Sequence, residues 1–457
     1  MKVAIIGAGW AGMAAAVRLT DLGHSITIFE ATKSLGGRAR ALEARLPSGQ
    51  KVTLDNGQHI LIGAYSETLQ LMRQVGVDID QVLMRRPLVL QFPDGAGLKL
   101  PPWPAPFNAI AGIASARGWT WADKASLVRT AIGWRVKSFS CDERDSVATL
   151  CHSVTPRVLQ ELIEPLCVSA LNTPADRASG RVFLRVLQDS LFGPAGSSDL
   201  LLPKTDLTAL FPRAAWKWMA QRGAQLKLGA RVDQVESVAG GWRLACSKPS
   251  PEPFDRVIVA TSATGALSLL EGSALATAWV ASTQALRYEA ITTVYAWAEG
   301  AALAQPMLAL RSGAEYDSAR NSSDTPNSAF NSAFSSTPGN SVSSSFGSNS
   351  PAQFAFDRGQ LGGPRGLLAF VVSASTGDRE SLQAQVLAQA RDQLNLGLQA
   401  IQTVVEKRAT FACTPALVRP GRHIAPGLLA CGDYVDGPYP ATLEGAVRSG
   451  LAAAAAI

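Results

Sequence analysis

The opening stretch MKVAIIGAGWAGMAAAVRL leaves few folds open to this chain. Val3, Ala4, Ile5 and Ile6 read as a strand buried on both faces. Gly7, Gly9 and Gly12 follow at G-x-G-x-x-G spacing, with Trp10 and Ala11 between the last two. In such a unit the first glycine permits a tight turn, the second lets backbone approach a pyrophosphate, and the third lets the helix pack closely on the strand. The pattern predicts a helix over residues 13–22, closed by Gly23 at the left-handed position, and a second strand over 25–29. Glu30 ends that strand eighteen residues beyond Gly12, where a carboxylate accepts ribose hydroxyls. Glycines serving close packing alone are the plainer reading, yet the ordered set of strand, loop, helix, strand and acid points to an α/β unit holding a dinucleotide. The same run also looks like the charged and apolar regions of a secretory signal. No clean cleavage site precedes Arg18, however, and removal would destroy the unit.

At 457 residues the chain exceeds one ordinary core, so two domains are expected. Outside the glycine-punctuated start no uninterrupted apolar stretch reaches the about 18 residues of a spanning helix, which predicts a soluble or peripheral protein. Six cysteines (Cys141, Cys151, Cys167, Cys246, Cys413, Cys431) are scattered without C-x-x-C pairs, and Cys151 with His152 lacks a second ligand pair, so no metal site is expected. Reduced thiols and the missing signal point to the cytoplasm. Lys and Arg number 42 against 36 Asp and Glu, a net charge of +6. No basic run suggests nucleic acid, and a mildly basic surface suits anionic lipid better. Residues 101–139 carry Trp103, Trp119, Trp121 and Trp134 among Arg117, Lys124, Arg129, Arg135 and Lys137, with Asp123 as the only acid. Two readings stay open: a helix pair lying on the inner face of a membrane, and a helical cap whose tryptophans fill core.

After Glu30 comes ATKSLGGRAR, in which Gly36 and Gly37 allow a second close approach to phosphate and Arg38 can pair with it through its planar fork. LDNGQHI then adds Gly57, Gln58 and His59. This combination resembles the two-dinucleotide-binding flavoproteins, the superfamily of amine oxidases and carotenoid desaturases. The resemblance implies FAD, held non-covalently because no cysteine matches the family's attachment position, with an adenine-side backbone contact at Arg231 and Val232. The far end, LLACGDYVDGPYPATLEGAVRSGLAAA, reads as a strand, a Gly432–Asp433 turn and a helix from near Thr442. Asp433 would meet the ribityl or phosphate side. Backbone N–H groups at Thr442, Leu443 and Glu444 would face the pyrimidine end.

EPLCVSALNTP, FLRVLQDSLFG, SDLLLPKTDLTALFP, KRATFACTP, GDYVDGPYPATLEGAVRSG and LDNGQHILIGAYSETL closely resemble the hydroxysqualene dehydroxylases, also described as squalene-associated FAD-dependent desaturases. That likeness runs along nearly the whole chain. It implies an α/β fold: a Rossmann-like FAD-binding domain with an interleaved α+β substrate domain and a helical cap. It also implies an apolar polyprenoid substrate, and conversion of hydroxysqualene to squalene by reduced flavin for hopanoid or other squalene-derived lipids in bacteria. The electron donor is left open.

The FAD-binding domain is expected to be discontinuous, over residues 1–80, 205–265 and 405–457, with the substrate domain over 81–204 and 266–404 and sheet strands near 290–297 and 366–373. A Ser/Asn-rich tract at 318–350 departs from the family pattern and reads as a disordered surface insertion. For the proton donor, His59 ranks first and Tyr439 second, although a hydrogen-bonded loop residue is the plainer and preferred reading of His59. Three other functions compete: oxidative desaturation of a carotenoid-type chain, amine oxidation, for which no aromatic cage is visible, and non-catalytic carriage of a prenyl lipid.

Overall fold

The computed structural model describes residues 1–103, 106–247, 253–312 and 350–457. It opens with β1 (Lys2–Ile6), α1 (Trp10–Asp21) and β2 (Ser25–Glu30). Val3 and Ile5 pack into one hydrophobic cluster, Ala4 and Ile6 into another. Both faces of β1 are covered, which is why its apolar run does not alternate. The helix starts earlier than the pattern suggests and contains Gly12. A β-carbon there would stand 2.1 Å from the Gly7 carbonyl oxygen, so helix and strand meet only because the side chain is missing.

β1 lies inside a six-stranded sheet. On one side are β2 and then Gln225–Leu228; on the other are Arg256–Val259, Leu428–Ala430 and His423–Ala425. Every neighbouring pair is parallel except the last. Because α1 carries the chain to β2 on one side while Arg256–Val259 flanks β1 on the other, a crevice opens beyond their carboxyl ends, at Gly7 and Ala260.

A second sheet is antiparallel, in the order Met307–Ala309, Phe354–Asp357, Leu367–Ser373, Tyr288–Trp297 and Gln399–Phe411. One face buries Val294, Leu368 and Phe370 against Leu382 and Val386 of the helix Arg379–Leu394. The other face looks toward the crevice.

Most of the expected insertion at 318–350 lies outside the described residues. On either side of it, Met307–Ala309 pairs with Phe354–Asp357, and the Leu310 N–H donates to the Gln353 carbonyl at 2.8 Å. Gln389 ties both strand ends, accepting from the Ala352 N–H and donating to the Arg311 carbonyl. Replacing residues 313–349 with a short Gly/Ser turn is therefore expected to shift the melting temperature by no more than a few degrees. A larger drop in a thermal melt would show that the segment contributes to the core.

The tryptophan-rich segment divides between its two readings. Trp119 and Trp134 are buried in the core, while Trp103 and Trp121 are exposed, Trp121 by 80%. Asp123 forms the capping box of the helix Trp121–Val136: its N–H donates to Thr120 Oγ1, and its carboxylate accepts the Thr120 N–H at 2.8 Å. No described helix is long and apolar enough to cross a membrane.

Candidate active site

Between the crevice and the free face of the antiparallel sheet lies a cavity of about 640 Å³. At one end α1 begins on Gly9 with no side-chain cap, so the first-turn N–H groups at Trp10 and Ala11 have no side-chain acceptor, and both residues line the cavity. A helix start left open in this way attracts an anion. Gly9 bridges to Gly36, and a β-carbon on Gly37 would stand 3.2 Å from the Gly9 Cα. The two glycine loops thus meet with no side chain between them. Glu30 Oε2 accepts from the Ala8 N–H at 2.9 Å, and its Oε1 from the Thr32 N–H at 2.8 Å. A carboxylate so placed retains lone pairs for ribose hydroxyls. Val232 and Arg231 line the same end. A bare phosphate cradle, an open helix start and a ribose acceptor fit a dinucleotide.

Gly57, Gln58 and His59 wall the cavity farther along, facing Gly432, Asp433, Thr442 and Leu443. Thr442 caps the helix Leu443–Ala455 by accepting the Gly445 N–H at 2.9 Å. Arg38 differs from its expected part. Its guanidinium is ion-paired with Asp433 and donates to the Ala409 carbonyl at 2.5 Å, and the neighbouring carboxylate raises its pKa. Beside a carboxylate in a partly enclosed site the fork closes on that charge, tying the Gly36–Gly37 loop to the C-terminal turn. Gly12 is absent from the cavity wall because it serves the packing of α1 on β1.

His59 Nδ1 lies 2.8 Å from the Gly57 carbonyl oxygen. A carbonyl only accepts, so Nδ1 carries the hydrogen, leaving Nε2 as the atom that gains or loses a proton. Enclosure lowers the His59 pKa; the Gly57 carbonyl opposes this and Arg38 adds to it. The ring is therefore neutral at neutral pH and becomes cationic as the pH falls. Tyr439 is not on the cavity wall. Its hydroxyl donates to Asp189 Oδ2 at 2.5 Å, and its φ of +58° turns the side chain toward Arg185 and Arg448. The second-ranked proton donor is thus committed elsewhere.

Asp55, just before the Gly57 loop, is buried, and desolvation pushes its carboxyl up to about 6 although it accepts the Leu207 N–H. Its unfolded value is the ordinary one, about 3.9. The stability this shift supplies is full below the unfolded value and lost as the pH rises through about 6. Asp55→Asn keeps an acceptor for Leu207 and should recover up to about 3 kcal/mol at pH values above that range. Denaturant titrations of both proteins at about pH 4 and about pH 8 check this: the variant's advantage should appear only at the higher pH.

Sequence patterns gave no sign of several wall residues. Asn172, at φ +46°, ends the helix Glu164–Leu171; it donates to Thr410 Oγ1 at 2.9 Å and accepts from the Ala374 N–H at 2.7 Å. Glu406 accepts from Asn56 Nδ2 at 3.2 Å. Across the antiparallel sheet Phe354, Val371, Thr293 and Val404 stand in one register row, all facing the cavity. Only the strand pairing puts them together.

Residues 10–457 match the family described as Flavin containing amine oxidoreductase. The chain belongs to this family. Like other flavin containing amine oxidoreductases it is an FAD-dependent oxidoreductase. It is similar to a hydroxysqualene dehydroxylase of Sinorhizobium fredii at 24% identity and to one of Rhodopseudomonas palustris at 25%, with 99% of this chain and 97% of each relative covered. An oxidoreductase structure from Methanosarcina mazei shares the fold, with a TM-score of 0.69 at 15% identity and 99% of both chains covered.

Proposed function

We propose that this enzyme removes the hydroxyl group of hydroxysqualene reductively, giving squalene and water, in the synthesis of hopanoids or other squalene-derived lipids. The observation that carries the reading is the composition of the cavity. Cofactor loops stand at one end and an apolar sheet face, with Ile291, Phe354, Phe356, Val371 and Val404, at the other. Full-length relatives whose names carry this activity support the substrate.

In this reading residues 1–80, 205–265 and 405–457 bind FAD, while 81–204 and 266–404 bind substrate. Gly7, Gly9, Trp10 and Ala11, with Gly36 and Gly37, surround the pyrophosphate. Glu30 takes the ribose and Val232 the adenine side. Gly57, Gln58, Gly432, Asp433, Thr442 and Leu443 surround the ribityl and flavin end, with Arg38 holding Asp433 in place. FAD held by these residues would, when reduced, be the source of the hydride that the allylic carbon needs. The C–O bond breaks, a C–H bond replaces it, and the oxygen leaves as water with a proton from His59 Nε2. The Gly57 carbonyl holds Nδ1–H in both protonation states, which fixes the ring. Apolar walls keep out water that would capture an allylic cation. The dithionite-reduced enzyme, incubated anaerobically with hydroxysqualene, should yield squalene; recovery of the unchanged alcohol contradicts the reading.

A triterpene reaches such a site from a bilayer. The helices Phe107–Ser115 and Trp121–Val136 expose Phe107, Ile110, Trp121, Ile132 and Val136 beside the exposed Arg117, Arg129 and Arg135. Lys124 Nζ links the two helices by donating to the Ala114 carbonyl at 2.7 Å. This pair lies on the inner face of the membrane in our reading, apolar side chains in the interface and arginines toward lipid phosphates. Trp121→Ser combined with Val136→Ser should weaken co-sedimentation with anionic vesicles, and salt should weaken that of the wild type. Unchanged sedimentation of the variant would remove this face from membrane contact.

A further inference from the structure

Four buried side-chain oxygens lack a hydrogen-bond partner among the described residues: Thr20 Oγ1, Tyr288 Oη, Thr293 Oγ1 and Tyr434 Oη. Of these residues only Thr293 is on the cavity wall. It is 1% exposed and lies on the strand Tyr288–Trp297, with Val371 paired to it on one side, Val404 on the other, and Phe354 beyond Val371 in the same row. Valine would suit such a position on packing grounds. A hydroxyl there loses hydration and gains nothing from the protein, which a structure tolerates where a bound molecule supplies the missing partner.

Position narrows the choice of partner. A β-carbon on Gly57 would stand 3.6 Å from His59 Cε1 and 3.8 Å from Thr293 Oγ1, so the imidazole and the hydroxyl flank the same glycine. His59 Nε2 has no protein partner among the described residues either. An imidazole and an unpartnered hydroxyl thus flank one glycine beside an apolar row, an arrangement matched to a long hydrocarbon carrying a single hydroxyl. We propose that Thr293 determines specificity by hydrogen bonding the substrate's hydroxyl oxygen, so that the alcohol is held at His59 and the dehydroxylated product is not. This rests on the function proposed above and deepens it.

Binding to the oxidised holoenzyme, in which the alcohol does not turn over, tests the assignment with hydroxysqualene and squalene as probes and the flavin visible spectrum as readout. Thr293→Val should bind hydroxysqualene about 10-fold more weakly, the loss of one buried hydrogen bond, while its affinity for squalene and its FAD content stay at wild-type values. Thr293→Ser, which keeps the hydroxyl, should retain most of the preference. Wild-type affinity of Thr293→Val for hydroxysqualene overturns the proposal. So does a variant whose main change is in FAD affinity or in the unliganded flavin spectrum, because the hydroxyl then serves the cofactor. A wild-type enzyme that converts hydroxysqualene but binds it no better than squalene overturns the role of Thr293 alone. A wild-type enzyme that fails to convert it overturns the proposed function as well.

Discussion

A Gly9→Val enzyme is expected to fold and to purify colourless. Gly9 has φ −75° and ψ 177°, an extended conformation that valine adopts without strain, and the nearest atom to an added β-carbon is the Gly37 Cα at 3.8 Å. The valine methyl groups would fill the gap between the two glycine loops where the pyrophosphate has to lie. Gly7→Ala makes the useful contrast. Gly7 has φ +113°, and its β-carbon would stand 2.6 Å from the Ala260 carbonyl oxygen, so that change is expected to damage folding itself. Visible absorbance relative to protein, with a circular dichroism melt, separates the two. Wild-type flavin content in Gly9→Val would move the pyrophosphate away from these loops.

The second large effect belongs to His59. His59→Asn should lower turnover by about 100-fold while FAD stays bound, the usual worth of a positioned general acid. The pH profile gives a separate sign. Because the His59 pKa is lowered, the cation that donates from Nε2 is scarce at neutral pH and grows as the pH falls through that value. Wild-type turnover should therefore rise on acidification, and the variant's should not. An unaffected rate would pass proton donation to another group, and Tyr439, bound to Asp189, is no longer the next choice.

The N-terminal unit could be read from sequence because each of its determinants is local: strand, glycines, helix and Glu30 lie within one βαβ segment. Thr442 was readable for the same reason, as the cap of the helix it begins. What escaped depends on pairing across long separations. Thr293 meets Val371 and Val404 only through strand register, and Arg38 meets Asp433 across most of the chain. Side-chain direction escaped as well. Tyr439 stands in a motif that reaches the cavity at Ala441 and Thr442, yet it is absent from the cavity wall and its hydroxyl is bound to Asp189. Charge and aromatic content could not sort the tryptophans, because burial of Trp119 and Trp134 and exposure of Trp103 and Trp121 depend on tertiary contacts such as the Trp119 Nε1–Glu161 hydrogen bond.

In the proposed reaction, hydride passes from the reduced cofactor to the carbon that loses its hydroxyl. Replacing FAD with reduced 5-deaza-FAD carrying two deuterium atoms at C5, a position that does not exchange with water, allows one anaerobic turnover to be read by mass spectrometry. Squalene with one deuterium at the former carbinol carbon is the expected product. Unlabelled squalene, or a conjugated polyene that keeps its hydroxyl, would contradict the proposed reaction.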